Sequence, residues 1–242
     1  MFKNLFILFL SIHIVGDFYL QTEFLATKKI SAYSMVLLHC FIYLLGAVAV
    51  SLVFSGRIIM YASLLMSFLH FAIDTVKFFL TVKRKSKSEG LIFIVDQTFH
   101  LLSIGVVSII LVNYSIAIRP TILGLLRVIN SDPYQPLRWL SMIALVAKPA
   151  NTFIKKALIV FKPHEEDHTI QGAGGWIGTL ERTLMLIFLS MGEFGAIGWV
   201  LTAKSIVRYS KINEEKHFAE YYLCGTLLSM VYVIGVFWLS FS

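Results

Sequence analysis

The sequence predicts an all-α fold, a polytopic transmembrane bundle of about six or seven helices, and three observations predict it. Of 242 residues, 57% are hydrophobic and 14% aromatic, with a mean hydropathy of +0.78, a balance outside the range of soluble globular domains. The apolar residues gather into runs of about 20, the length that a hydrocarbon core of about 30 Å asks of a helix. No internal repeat, low-complexity tract or long linker interrupts them. One integral membrane domain over 1–242 follows, with a four-helix half (1–114), an amphipathic or broken stretch with loops (115–175) and a two-helix part (176–242).

The formal net charge is +7. In a membrane chain basic residues collect in cytoplasmic loops and meet anionic lipid, so lipid rather than nucleic acid is the expected partner. Cys40 and Cys224 both fall in apolar runs. Neither a disulfide framework nor a CxxC metal motif is present, and each reads as a small buried hydrophobe.

The first span covers about 2–24. It resembles a signal peptide's apolar region, but no small-residue cleavage site follows and His13 and Asp17 interrupt it, which makes it a retained helix. In H-I-V-G-D-F-Y-L-Q, residues His13, Asp17 and Gln21 recur every four positions on one face. Gln21 reads either as an outer partner of a ligand or as a polar residue of the cap region. The second span, about 34–55, carries His39 one turn from its start, and Gly56 and Arg57 then turn the chain into an antiparallel third span at about 58–81. That span reads H-F-A-I-D-T-V-K and sets His70, Asp74 and Lys77 along one side. Lys77 either snorkels to the headgroups or neutralises a substrate anion. Lys83, Arg84, Lys85, Ser86, Lys87 and Ser88 follow as the densest basic loop, cytoplasmic by the positive-inside rule. The fourth span, about 91–113, opens with D-Q-T-F-H, giving Asp96, Gln97 and His100.

Depth ties these residues together. With that basic loop inside, the Lys28 and Lys29 loop is inside too, and all four helices present their polar residues in the cytoplasmic half of the bilayer. Ionisable side chains in a membrane are costly and mark function by default. Three of the helices carry His and Asp at i,i+4, which stacks both on one face. His13, Asp17, His39, His70, Asp74, Asp96 and His100 form a borderline-soft N/O set suited to zinc, with manganese or iron as alternatives, and large enough for two ions. Gln21, Gln97 and Lys77 are the expected outer partners. A proton relay or a hydrogen-bonded structural network are the competing readings.

Beyond Asn113 the chain is less apolar, with a short surface helix expected at about 121–130. The stretch 137–161, holding Lys148, Pro149, Asn151, Lys155 and Lys156, reads as a broken or tilted span or as an interfacial amphipathic helix. A polar loop from Pro163 ends G-A-G-G-W-I-G before one apolar helix at about 176–203, with Glu181 and Arg182 in its first turns and Lys204 and Arg208 beyond its end. The basic residues there suit a helix C-terminus at the inner surface or a phosphate clamp. The last span, about 218–241, opens with Glu220 and the interfacial pair Tyr221 and Tyr222, then shows the small residues Gly225, Thr226 and Ser229.

H-I-V-G-D-F-Y-L-Q, H-F-A-I-D and D-Q-T-F-H, with the later G-W-I-G-T-L-E-R, A-K-S-I-V-R and E-Y-Y-L-C-G-T-L-L-S, resemble the bacterial membrane proteins grouped as domain-of-unknown-function 3307 across nearly the whole chain. The family name implies a multi-pass protein of the bacterial cytoplasmic membrane and no activity, and its C-terminal motifs draw attention to Glu181, Arg182, Lys204, Arg208 and Glu220. More distantly, His/Asp clusters on apolar helices are similar to membrane-bound metal-dependent hydrolases, which brings in a reaction class by analogy.

The expected function is therefore a metal-dependent hydrolase of a phosphate ester or phosphodiester, acting on a lipid-linked or membrane-proximal substrate. In it Asp17, Asp74 or Asp96 supplies the catalytic carboxylate, and Arg182, Lys204 and Arg208 hold phosphate oxygens. The alternative is a transporter or channel that passes a divalent cation or protons through the same cluster, though no inverted repeat supports it. A scaffold with a structural metal stands third, because structural zinc sites are usually closed and often cysteine-rich.

Overall fold

The computed structural model describes residues 2–83, 89–114, 116–129, 132, 134–161 and 172–241, and its regular structure is helical apart from one two-residue strand pairing. Arg84 to Ser88 of the basic loop and residues 162–171 of the later polar loop lie outside the described residues. Among the described residues five helices are long and apolar enough to cross a membrane, at Phe2–Tyr19, Tyr33–Ser51, Arg57–Thr81, Glu89–Ile110 and Lys216–Phe241. The chain is an all-α membrane protein. The two segments that would raise the count, 137–161 and 176–203, are each divided in two.

The chain forms two compact units, Met1–Ser141 and Met142–Ser242. In the first unit α1 (Phe2–Ile14) runs directly into a π-helical turn, Val15–Tyr19, closed by Leu20 N–H donating to Val15 O at 2.8 Å. Thr22 then starts α2 (Glu23–Lys28), its hydroxyl accepting from Leu25 N–H at 3.2 Å. The first membrane helix thus ends at Tyr19 rather than near residue 24, and Gln21 stands outside the helix that holds His13 and Asp17. The long helices α3 (Tyr33–Ser51), α4 (Arg57–Lys83) and α5 (Glu89–Ile110) follow.

A small clamp closes one end of the α3–α4 hairpin. There β1 (Phe54–Ser55) pairs antiparallel with β2 (Ala117–Ile118), Phe54 opposite Ile118. Gly56 makes the turn at φ +117°, a region open to glycine and strained for other residues. Arg119 reinforces the clamp from both backbone and side chain, donating to Val53 O at 3.0 Å and to Phe54 O at 3.2 Å. Beyond it α6 (Pro120–Ile129) begins on proline, whose missing N–H costs nothing at a first helical position. Leu125 and Val128 of this helix are exposed, as expected of a surface helix.

This unit buries a polar cluster within a core that includes Leu5, Phe9 and Ile104, and leaves large apolar side chains outside. Phe41, Phe68 and Ile109 point outward while His39, His70 and His100 are buried. Apolar exteriors are what a helix needs when hydrocarbon replaces water. Ser67 and Ser108 lie inside, each donating to the carbonyl four residues back.

In the second unit α7 (Gln135–Val146), whose N-terminal residues belong to the first, breaks at Ala147 before α8 (Lys148–Ala157). Pro149 explains the break: it lacks an N–H and its ring displaces the carbonyl of Leu145 four residues back. Two distant side chains serve the freed carbonyls, Tyr232 donating to Leu145 O at 3.2 Å and Arg182 Nε to Val146 O at 2.6 Å. α9 (Ala173–Met191) ends at Gly192, which adopts φ +76° while Glu193 N–H closes on Phe188 O at 2.9 Å. That cap divides the helix expected over 176–203, and α10 (Phe194–Val207), α11 (Tyr209–Glu214) and α12 (Lys216–Phe241) complete the chain. Cys40 is buried as expected, whereas Cys224 on α12 is exposed.

Replacing Arg182 by Met leaves Val146 O and the Asn151 side chain without their buried donor. The expected cost is about 1–3 kcal/mol, seen as a lower unfolding temperature of the detergent-solubilised protein. An unchanged melting curve would show that these bonds do not hold the break.

Candidate metal centre

Four helices bring their polar residues to one level. Asp17 lies in the π turn, His39 six residues into α3, Asp96 seven residues into α5, and Asp74 nine residues before the end of α4. At 1.5 Å per residue these are depths of about 9–14 Å from the corresponding helix ends in α3, α4 and α5. All seven are withdrawn from solvent: His39, His70, His13 and His100 are at most 2% exposed, and the Asp17 side chain is 7% exposed. The expectation of a single shared cluster is met among the described residues.

The separations suit cation ligation. Among Asp17, His39, His70 and Asp74, His39 Nε2 lies 3.0 Å from Asp17 Oδ1, 3.1 Å from His70 Nε2 and 3.5 Å from Asp74 Oδ2. His70 Nε2 lies 3.4 Å from Asp17 Oδ1 and 3.9 Å from Asp74 Oδ2. Zinc bonds of 2.0–2.1 Å in tetrahedral array put neighbouring ligand atoms about 3.3 Å apart, so these edges scatter around the required value. Three overlapping groups of candidate ligand atoms each fall within 4.8 Å: His13, Asp17, His70 and His100; His39, His70 and Asp74; and Asp74, Asp96 and His100. His70, Asp74 and His100 each serve two groups, which is how two ions would share seven residues.

Proton accounting points the same way. His100 Nδ1 lies 2.9 Å from the Asp96 carbonyl, an atom that only accepts, so Nδ1 carries the hydrogen and the neutral ring presents a lone pair at Nε2. That Nε2 is buried and has no hydrogen-bond partner, and Asp74 Oδ1 and Asp96 Oδ1 share the condition. His39 and His70 meet through Nε2 atoms at 3.1 Å, an approach that a shared hydrogen or a shared cation accommodates. Buried acceptors left alone cost about 1–3 kcal/mol each, and a cation bound among them removes that cost.

The residues expected as outer partners make hydrogen bonds to the cluster or to its neighbour Lys29. Gln97 joins three cluster residues: its Oε1 lies 3.2 Å from His13 Nε2, while its Nε2 donates to Asp17 Oδ2 at 3.4 Å and to Asp96 Oδ2 at 3.3 Å. Lys77 does not simply snorkel, since its Nζ donates to Asp96 Oδ2 at 2.6 Å. Gln21 reaches the site indirectly: it accepts from Lys29 Nζ at 2.8 Å, and Lys29 in turn donates to Asp74 Oδ2 at 3.2 Å. Lys29 is an addition to these. In the sequence it reads only as a loop charge, because nothing local signals a pairing 45 residues away.

Two further residues were not singled out. The Tyr43 ring stacks on His70 with centroids 3.9 Å apart and planes 6° from parallel, which fixes the imidazole's tilt. It stands four residues after His39, a spacing that places both on one helical face. Gly16 provides the space for that ring, since a β-carbon there would lie 2.8 Å from Tyr43 Cε2.

The phosphate-binding candidates belong to the second unit, where each has a partner. Arg182 serves Val146 O, Asn151 Oδ1 and, at 3.4 Å, Ser229 Oγ. Lys204 donates to Glu181 Oε2 at 2.6 Å, and the Arg208 guanidinium lies over the Phe218 ring at 5.9 Å. Glu220 is exposed on α12.

The sequence profile of the family described as protein of unknown function (DUF3307) matches residues 5–125. All seven cluster residues fall within that range, whereas the C-terminal motifs that resemble the family lie beyond it. No curated protein and no solved structure matches the chain.

Proposed function

We propose, for a chain that belongs to the DUF3307 family, that the buried cluster is the divalent-metal centre of a hydrolase acting on phosphate esters or phosphodiesters at the cytoplasmic face of a bacterial inner membrane. One observation carries this reading: His100, whose Nε2 is a buried lone pair without a partner, is grouped with Asp74 and Asp96, one candidate ligand atom from each residue lying within 4.8 Å of the others. Zinc is the preferred ion for an imidazole and carboxylate set, with manganese or iron as alternatives and two ions as the upper stoichiometry. A lipid-linked phosphate is the favoured substrate, since the cluster lies on helices long and apolar enough to cross a membrane.

Such ions make a nucleophile of water at neutral pH and polarise phosphoryl oxygens. The protein's own groups do the rest. Tyr43 and Gln97 hold His70, His13 and Asp17 in place. A carboxylate oxygen of Asp17, Asp74 or Asp96 that the ions leave free takes the proton of the attacking water. Asp96→Asn, assayed at saturating metal because it also alters a candidate ligand, is expected to lower turnover of a chromogenic phosphodiester about 100-fold or more. If the metal-loaded wild type hydrolyses neither monoesters nor diesters, the hydrolase reading falls. Gln97→Leu, which unties three ligands together, is expected to weaken metal affinity about 10–100-fold, measured by competition with a chelating dye.

A transport reading has its own support. Lys77, Asp96, Gln97 and then His13 or Asp17 form a hydrogen-bonded series from a 28% exposed ammonium to side chains 3–7% exposed. Such a series could relay a cation or protons inward. Metal or proton flux into proteoliposomes that His70→Ala abolishes, with no ester hydrolysis, selects it over the hydrolase.

A further inference from the structure

Two of the three carboxylates already hold a tethered cation. Lys29 Nζ lies 3.2 Å from Asp74 Oδ2 and Lys77 Nζ 2.6 Å from Asp96 Oδ2, and both aspartates belong to the same candidate ligand group with His100. The lysines occupy the accessible side of that group: their side chains are 14% and 28% exposed, against 3% for each aspartate. Lys29 also donates to the Gln21 amide oxygen at 2.8 Å, a partner it keeps if Asp74 is taken from it, and both cations sit on flexible four-carbon stems. With neutral imidazoles the three carboxylates and two ammoniums sum to −1, a charge that repels anions. One divalent cation turns the sum to +1, repels both ammoniums from the oxygens it takes, and leaves them at the rim.

We propose, resting on the metal-centre reading above, that Lys29 and Lys77 are the anion-receiving groups of this site and that binding is ordered. A divalent cation first displaces them from Asp74 and Asp96, and the freed ammoniums then take a phosphate monoester group, whether from a lipid headgroup or from a water-soluble ester. This assigns substrate recognition to the unit that holds the cluster, and gives the ion pairs seen here the role of occupying the carboxylates until the metal arrives.

The test uses the full chain in detergent, with zinc as the metal and two probes, inorganic phosphate and a short-chain phosphatidic acid, each titrated into metal-free and zinc-loaded protein. Wild type is expected to bind at least one probe only when zinc-loaded, lipid alone marking the headgroup as the source and both probes a site that accepts either. Lys29→Met/Lys77→Met is expected to bind zinc about tenfold more tightly, having lost the competing cations, and to bind the probe at least tenfold more weakly. Lys29→Arg/Lys77→Arg, which keeps the charges, is expected to retain probe binding. Zinc binding by the Met variant reports that it is folded. Equal probe affinity in wild type and the Met variant, equal affinity with and without zinc, or no binding of either probe to zinc-loaded wild type overturns the proposal while leaving the metal centre intact. Absence of zinc binding by wild type removes the metal centre itself.

Discussion

His70→Ala is expected to abolish stoichiometric metal in the purified protein, lowering affinity by about 100-fold or more, beyond the 10–100-fold typical of losing an outer partner. The reason is position. His70 Nε2 lies within 3.9 Å of His39, Asp17 and Asp74 ligand atoms, and the residue belongs to two of the three candidate ligand groups. The variant also removes the ring on which Tyr43 stacks, so folding must be read separately, by melting in the presence of excess chelator. His70→Gln, which fills the space with a weaker ligand, distinguishes the two effects: it is expected to recover the fold and not the metal. Elemental analysis of wild type and both variants is the measurement. Metal retained by His70→Ala at wild-type stoichiometry contradicts the assignment.

The second large effect is expected from the smallest change, Gly16→Ala. A methyl group there would overlap the Tyr43 ring, 2.8 Å from Cε2 and 3.2 Å from Cγ, and that ring cannot retreat without tilting His70 behind it. Overpacking of this kind costs about 1–3 kcal/mol. Because Asp17 is the next residue, metal affinity should fall with it, by about tenfold for each 1.4 kcal/mol transmitted to the ligands. Gly46→Ala provides the contrast, since its new methyl meets only the flexible tip of Leu20 at 3.0 Å. The cause is checked by a double-mutant cycle. In a Tyr43→Leu background the Gly16→Ala penalty should shrink by more than half, and a penalty of unchanged size would locate the strain elsewhere.

The parts of this molecule that were legible in the sequence are those governed by local spacing. His70 with Asp74 and Asp96 with His100 share a face because α4 and α5 are regular through them. The common depth of the four helices followed from counting residues to helix ends, and the geometry agrees with it. Gln21 leaves the face it was expected to share with His13 and Asp17 for a physical reason: the four-residue count assumes an unbroken α-helix, and the π turn followed by the Thr22 cap removes it from that helix. Lys29 was out of reach, since its role depends on how α2 lies against α4, a relation that no spacing within either segment encodes. Of the two broken segments, Pro149 foretold the first, while the second read as one apolar helix because Gly192, close to Gly195 and Gly198, does not by its type show which glycine takes the positive φ.

The π turn has a consequence for what the ligand residues can mean in related chains. Upstream of it, α1 is indexed by Asn4, which accepts from Arg138 at 3.2 Å, and by Ser11, whose hydroxyl meets that of Ser141 at 2.7 Å. Downstream, Asp17 is aimed at His39 and His70. A straight helix of one residue fewer would satisfy only one of these alignments, because each residue rotates the face by about 100°. The wide turn is thus a phase converter between two lattices of contacts. A chain that kept all seven cluster residues but lost one position between Ile14 and Asp17 would carry the complete vocabulary of the cluster with one word, Asp17, turned away from the others.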